Sequence, residues 1–300
     1  MNRKHIFAKI FLLLLPVLAG GCIDSSLEHC PRKGELVIKA FDNGGTDISS
    51  SGEAGDVILF EYDQNGKFLS KIKVPAGDIV TGKTMKVVIP SGEGRRFIAW
   101  SNITDEASML DFMPERSIAD NTVSPVKDLS GFSKIDGTIF YGSKSVDFKS
   151  LDENPLIEVK MQRAVSRIAV SIVGMESGAK PEEYQLQIAN DDQSHLNFEN
   201  LVIRRENLKY QSAVEWLQKD KIMGGKNPIM TLPSAEGSSK TILLYHKGVL
   251  IYTATVDEKG LPIAPKAGEK VSVLINLGGL NPGLKIVVGD WEQVVEWKIW

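Results

Sequence analysis

Beyond residue 34 the chain is built from short apolar runs broken by turn residues. Leu36-Val37-Ile38-Lys39-Ala40-Phe41 comes first, preceded by Gly34 and closed by Asp42-Asn43-Gly44-Gly45. Residues 57–62 and 68–74 flank Asp63-Gln64-Asn65-Gly66, and the Asn-Gly pair is the strongest short hairpin signal. Residues 84–89 form another run that stops at Pro90-Ser91-Gly92, and 96–100 resume the alternation. Strand follows turn with almost no helical periodicity, the pattern of a β-sandwich.

Residues 101–135 break the rhythm. One or two helical turns are expected over 105–113, with Thr104 as N-cap, followed by a long connection. Strand character returns at Ile139-Phe140-Tyr141-Gly142, and Asp152-Glu153-Asn154-Pro155 interrupts it as a linker. A second β unit starts at once, with strands expected over 156–161, 163–173, 184–189 and 201–204. Residues 212–222 fit a strand or a short helix. The runs 240–246 and 249–256 flank Lys247-Gly248 as a hairpin, and 270–277, 285–288 and 294–300 complete the pattern. The expected fold is all-β, with two β-sandwich domains in tandem at 35–155 and 156–300. One continuous sandwich is the alternative, and the chain length favours two.

The N-terminus is of a different kind. Arg3, Lys4 and Lys9 precede the apolar run 10–18, and Ala19-Gly20-Gly21-Cys22 comes next. A basic head, a short apolar stretch and a small-residue exit make residues 1–21 a secretory signal. The run falls short of the roughly 20 residues of a spanning helix, and Pro16 would interrupt one. A cysteine directly behind small residues points to lipoprotein processing. Cys22 is the expected lipid-bearing first residue of the mature chain, and 22–34 a linker. Ala19 stands where a lipobox usually has leucine, so an ordinary secreted protein with an incidental cysteine is the alternative. Two or three acyl chains on Cys22 would hold the protein to a membrane, each buried methylene contributing roughly 0.8 kcal/mol. Cys30 is the only other cysteine. Once Cys22 is acylated Cys30 has no intrachain partner, and it is buried or pairs between chains.

A net charge of −3 argues against a nucleic-acid partner, which needs a concentrated basic face. His5, His29, His195 and His246 form no His-x-x-x-His pair, and no Cys-x-x-Cys, Gly-x-Ser-x-Gly or phosphate-cradling glycine loop occurs. Asp191-Asp192 and Glu182-Glu183 sit in polar stretches that suit solvated loops better than an acid–base pair. The run 63–66 lacks the later ligands of a calcium loop, as Phe68 and Lys71 show. No metal, cofactor or catalytic site is expected. Trp291, Trp297 and Trp300 cluster near the C-terminus, with Trp100 and Trp216 elsewhere. Such a set is core packing or a sugar-stacking platform.

Cys22, the run Glu28-His29-Cys30-Pro31 and the strand from Gly34 to Ile38 together resemble the FimB-type fimbrial anchor family of Bacteroidales. Gly137-Thr138-Ile139-Phe140-Tyr141-Gly142 and the stretch from Val159 through Arg163 and Arg167 to Val170 are similar to the same family. The resemblance implies two transthyretin-like sandwich domains and a lipid-anchored outer-membrane protein at the cell surface or in the fimbrium. It implies a role as anchor or accessory subunit of a pilus, with fimbrial shaft subunits as partners through strand addition. In that assembly an extended segment of one subunit fills a groove in the next. In the family's shaft subunits, removal of the first strand by a trypsin-like protease opens the groove. Here residues 42–66 hold no Arg and no Lys, so the first strand is expected to stay. A polymerising shaft or tip subunit, and a glycan-binding surface lipoprotein, are the alternative functions. The segment 294–300 is either a fixed strand, as in an anchor, or a donor, as in a shaft subunit.

Overall fold

The computed structural model describes residues 32–89, 93–103, 109–147, 155–190, 193–204, 206–278, 283–293 and 295–297. The signal, Cys22, Cys30, most of the 22–34 linker, the turn at 90–92 and Thr104 lie outside these residues, as do 152–154, Asp191, Asp192, Val294 and Trp300.

The first half holds β1 (Arg32–Ala40), β2 (Val57–Asp63), β3 (Phe68–Val74), β4 (Met85–Ile89) and β5 (Gly94–Ser101). It continues with the short β6 (Leu110–Asp111), β7 (Thr122–Val123), β8 (Val126–Lys127) and β9 (Ser133–Lys134), then β10 (Phe140–Asp147) and β11 (Leu156–Arg163). The second half has β12 (Ser166–Val173), β13 (Tyr184–Asn190), β14 (Gln193–Asn197), β15 (Val202–Arg204), β16 (Lys209–Gln218) and β17 (Ile222–Gly225). Then come β18 (Ile229–Thr231), β19 (Lys240–His246), β20 (Val249–Ala254), β21 (Glu269–Asn276) and β22 (Gly283–Asp290).

Seven strands make the first sheet, in the order β3-β2-β5-β10-β11-β1-β4. β10 and β11 meet only at Phe140 opposite Arg163 and Tyr141 opposite Gln162. The sheet folds over on itself there. Alternate side chains of the two halves then face each other, as period-two patterning requires. Leu36, Ile38, Ala40, Ile157 and Val159 pack with Val57, Leu59, Phe97, Ala99 and Phe140 in one core. The fold-over needs Gly142, because a Cβ there would lie 2.5 Å from the Lys160 carbonyl oxygen.

The second sheet has nine strands, along the path β20-β19-β13-β16-β17-β12-β21-β22, with β18 also pairing β12. The long β16 is its corner. The first half of β16 pairs with β13 and the second half with β17. Leu186, Ile188, Ile242 and Leu244 of one layer share a core with Ile168, Val170, Val271 and Val273 of the other. The β19–β20 hairpin turns on Lys247 and Gly248, with φ of 52° and 79°. Both residues are left-handed, which matches the strand twist.

A third sheet, β15-β14-β7-β6, joins the two halves by pairing Leu196 with Val123 and Asn197 with Thr122. It covers the outer face of β2 and β5, so Ile58, Phe60 and Trp100 belong to the same core as Phe198 and Ile168. β2 is thus buried on both faces, which explains its unbroken apolar run.

Several expectations change. Leu110–Asp111 is strand within the stretch expected to be helical, because pairing with Thr122 and Val123 outweighs local preference. Residues 212–218 are strand, with Tyr210 and Val214 buried and the residues between them more exposed. β11 comes after Pro155 yet pairs in the first sheet, and the chain changes sheets at Ala164-Val165. Proline marks where an element stops and carries no record of which sheet comes next. Residues 295–297, expected in a final strand, are not in strand pairing. Ala76–Thr81 is a short helix, ended by Gly82 at φ 63°.

Gly142→Ala is expected to lower stability by about 1–3 kcal/mol, since backbone and not a movable side chain blocks the added methyl. Urea denaturation of the folded protein measures this.

Candidate functional site

The expectation that the first strand stays in place makes that strand the candidate site. β1 lies inside its sheet, parallel to β11 through Leu36 opposite Ile157 and Ile38 opposite Val159, and antiparallel to β4 through Gly34 opposite Val87. β11 takes Glu35 to Ala40 along one edge and β4 takes Arg32 to Leu36 along the other, so the two pairings overlap at Glu35 and Leu36. Leu36 and Ala40 are fully buried, and Val37 and Ile38 nearly so. Each large apolar side chain buried this way contributes roughly 1.5–3 kcal/mol. The short β4 forms the outer edge and turns Lys86 outward.

The chain leaving β1 is fastened at once. The Phe41 amide donates to the Met161 carbonyl at 2.8 Å, and the Ala40 amide donates to Ser49 Oγ at 2.9 Å in a buried site. Lys39 reaches Asp47 at 3.2 Å. Hydrogen bonds from Ser49, then the Lys39 ammonium, hold the Asp47 carboxyl below its usual range. Further on, Asn102 Nδ2 donates to the carbonyls of Glu53 and Thr138 at 2.8 and 2.6 Å, while Asn102 Oδ1 accepts from the Gly55 amide. Asn102 has φ 56°, a left-handed conformation that asparagine tolerates better than most residues.

Behind this loop lies an ionic and aromatic clamp. Arg163, at the end of β11, is gripped by Glu53 with Nη2–Oε2 at 2.6 Å and Nε–Oε1 at 3.2 Å. The Arg163 side chain is only 3% exposed. Trp291, just after β22, is buried against both Arg163 and Arg167, whose guanidinium carbons lie 5.0 and 4.4 Å from its ring centroid. Glu292 adds looser contacts at 3.7 and 4.0 Å. Burial lowers the Arg167 pKa, and Glu292 opposes that shift.

Each residue singled out from sequence now has a place or lies outside the described residues. Trp100 is core, Trp291 is in the clamp, and Trp216 and Trp297 line one cavity. Glu183 accepts at 3.3 Å from His246 and from Lys247, a surface ion cluster. Asp63 Oδ1 takes the Asn65 and Lys67 amides, so the carboxylate closes a hairpin turn. Among the described residues no group of three or more His, Cys, Asp or Glu could hold a metal, and no helix is long and apolar enough to cross a membrane. Glu53 and Asn102 carried no sequence signal, because their partners are distant in the chain. Arg163 and Arg167 did, through the stretch that resembles the fimbrial family.

These features define a class: a two-lobed β-sandwich subunit whose first strand is integral to its own sheet. The chain belongs to the family of fimbrillin-A associated anchor proteins Mfa1 and Mfa2, whose family model matches residues 27–297. The major fimbrium anchoring subunit FimB of Porphyromonas gingivalis is 20% identical over 308 residues, spanning 99% of this chain and 98% of that protein. The fimbrial anchor protein Mfa2 of the same organism shares the fold with a TM-score of 0.63 and 16% identity, over 87% of this chain and 98% of its own. A Bacteroides thetaiotaomicron protein described as a candidate polysaccharide-binding protein has a TM-score of 0.67 and 17% identity, over 88% of this chain and 98% of its own.

Removing Glu53 strands a buried guanidinium, so Glu53→Ala is expected to cost about 3 kcal/mol. Glu292 is 80% exposed, and Glu292→Ala is expected to cost less than about 0.5 kcal/mol. Equilibrium denaturation of the two variants side by side checks this difference.

Proposed function

We propose that the mature protein is the lipid-tethered base subunit of a fimbria. Acyl chains on Cys22 hold it in the outer membrane, and the folded body receives a fimbrial shaft subunit at the cell surface. The observation that carries this reading is the pairing of β1 with β11 over Glu35 to Ala40 and with β4 over Arg32 to Leu36, with a stretch behind it, 42–66, that holds no Arg or Lys. A groove already filled by the chain's own strand gives a neighbour nothing to complete there. Such a subunit ends a fibre. Family membership supports the same role.

The outer strands of the two large sheets differ in how they receive a partner. β3 carries Lys71 and Lys73, and β4 carries Lys86. Such charges keep edges from pairing. β22 is flanked by the chain behind it, with Gln293 against Gly289 and Lys285 Nζ 6.0 Å from the Trp297 ring. β20 has no charged residue, and Val249, Leu250 and Ile251 are 65%, 47% and 40% exposed. An open backbone edge beside uncharged side chains suits an extended segment of a fimbrial subunit, added as one more strand. The proposed contact with the shaft is at β20.

Mass spectrometry and N-terminal sequencing of the protein taken from intact outer membranes test the tether. A diacylated or triacylated Cys22 at the mature start is expected. A mature N-terminus within 42–66 would make this a processed shaft or tip subunit instead. For the docking edge, Ile251→Lys is expected to reduce co-purification of fimbrial subunits about tenfold, a loss near 1.4 kcal/mol, with thermal stability unchanged. Undiminished recovery would move the contact elsewhere.

A further inference from the structure

We propose that a cavity of about 610 Å³ at the far end of β12 binds an uncharged saccharide. The proposal does not depend on the anchoring role. The walls come from four places: the turn after β12, the end of β16, the β16–β17 turn, and the segment after β22.

Trp216 and Trp297 line it, each half-buried. Trp216 packs on the core of the second lobe, which fixes its ring. The axial face of a pyranose is a patch of C–H groups that lies flat against an indole and is shielded from water by it. Two such rings in one concavity of this size make an apolar platform for a small ligand, since ligand pockets run from roughly 300 to 1,000 Å³.

The polar groups complete the pattern. Glu176, Gln218 and Asp220 also line the cavity, and among the described residues their side chains make no hydrogen bond or ion pair. Carboxylate and amide oxygens accept from sugar hydroxyls. An apolar ligand would strip water from these groups and return nothing, at a free-energy cost. The lining holds two carboxylates, Glu176 and Asp220, and the Lys221 ammonium, and the Lys285 ammonium lies 6.0 Å from the Trp297 ring. With no net positive charge to hold uronates, sialic acids or sulfated sugars, neutral sugars are the class that fits.

The backbone is shaped for the cavity. β16 carries a one-residue bulge between Trp216 and Gln218, the device that re-aims side chains at binding sites. Asp220, at φ 57°, turns the chain between β16 and β17, a left-handed position that aspartate tolerates. Gly174, at φ 74°, lies so close to Gly278 that any side chain there would collide.

The test applies the mature protein to an array of immobilised neutral and acidic glycans. Retention of neutral glycans is expected, weakened about tenfold or more by Trp297→Ala and by the exposed-site variant Gln218→Ala. Far-UV circular dichroism and recovery of fimbrial subunits should stay unchanged in both variants. Titration with a retained neutral glycan should shift tryptophan emission to shorter wavelength, and less so in Trp297→Ala. Retention of no glycan, retention of acidic glycans alone, or binding that survives both substitutions would overturn the proposal.

Discussion

The structure depends on a parallel pair made of strands far apart in the chain. β1 is the first described element, and its neighbour β11 arrives only after the rest of the first lobe. Parallel strands cannot be joined by a tight turn, and closing so long a loop costs entropy that burial alone offsets. β1 meets that cost with Leu36, Ile38 and Ala40 in the core and Val37 on its other face. Without it, β11 and β4 would face each other across a gap with unpaired backbone on both sides.

The clamp around Arg163 couples this closed lobe to the second. Arg163 ends β11, Arg167 is the second residue of β12, and only Ala164 and Val165, both fully buried, separate the two strands. Glu53 reaches the clamp from the loop between β1 and β2, and Trp291 from the chain beyond β22. The start of the fold, its middle and its end are thus tied at one point. The third sheet ties the lobes a second time through β7 and β14. Separating the lobes means pulling Trp291 off Arg163 and opening a shared core together.

Strands are legible in the sequence wherever one face is buried, because alternation is then strict. β12 and β13 are of this kind. Pairing partners are not legible, since alternation says which face is apolar and nothing about which strand lies alongside. That is why the sequence of β11 reads as the opening of the second unit although the strand completes the first. The short β6, β7, β8 and β9 are hidden because two residues carry no period. β16 is ambiguous because Glu215, Leu217 and Gln218 favour helices, and tertiary pairing overrides that preference. Of the candidate site, the lack of Arg and Lys in residues 42–66 can be read directly. Glu53 cannot, because a single carboxylate in a loop looks the same whether it faces water or a buried guanidinium.

The segment after β22 shows how the ends of the chain divide the work. A donor strand must be free to leave its own subunit. Here Trp291 is buried against two guanidinium groups, Lys270 Nζ donates to the Gln293 carbonyl at 2.7 Å, and Trp297 lies beside Lys285. These contacts hold residues 291–293 and Trp297 against β21 and β22, and Trp297 supplies one wall of the cavity by β12. A segment committed in this way is poorly suited to donation, because releasing it would unpack Trp291 and dismantle the cavity at once. Both ends of the described chain therefore act inward, β1 as a paired strand and the residues around Trp291 as a packed cover.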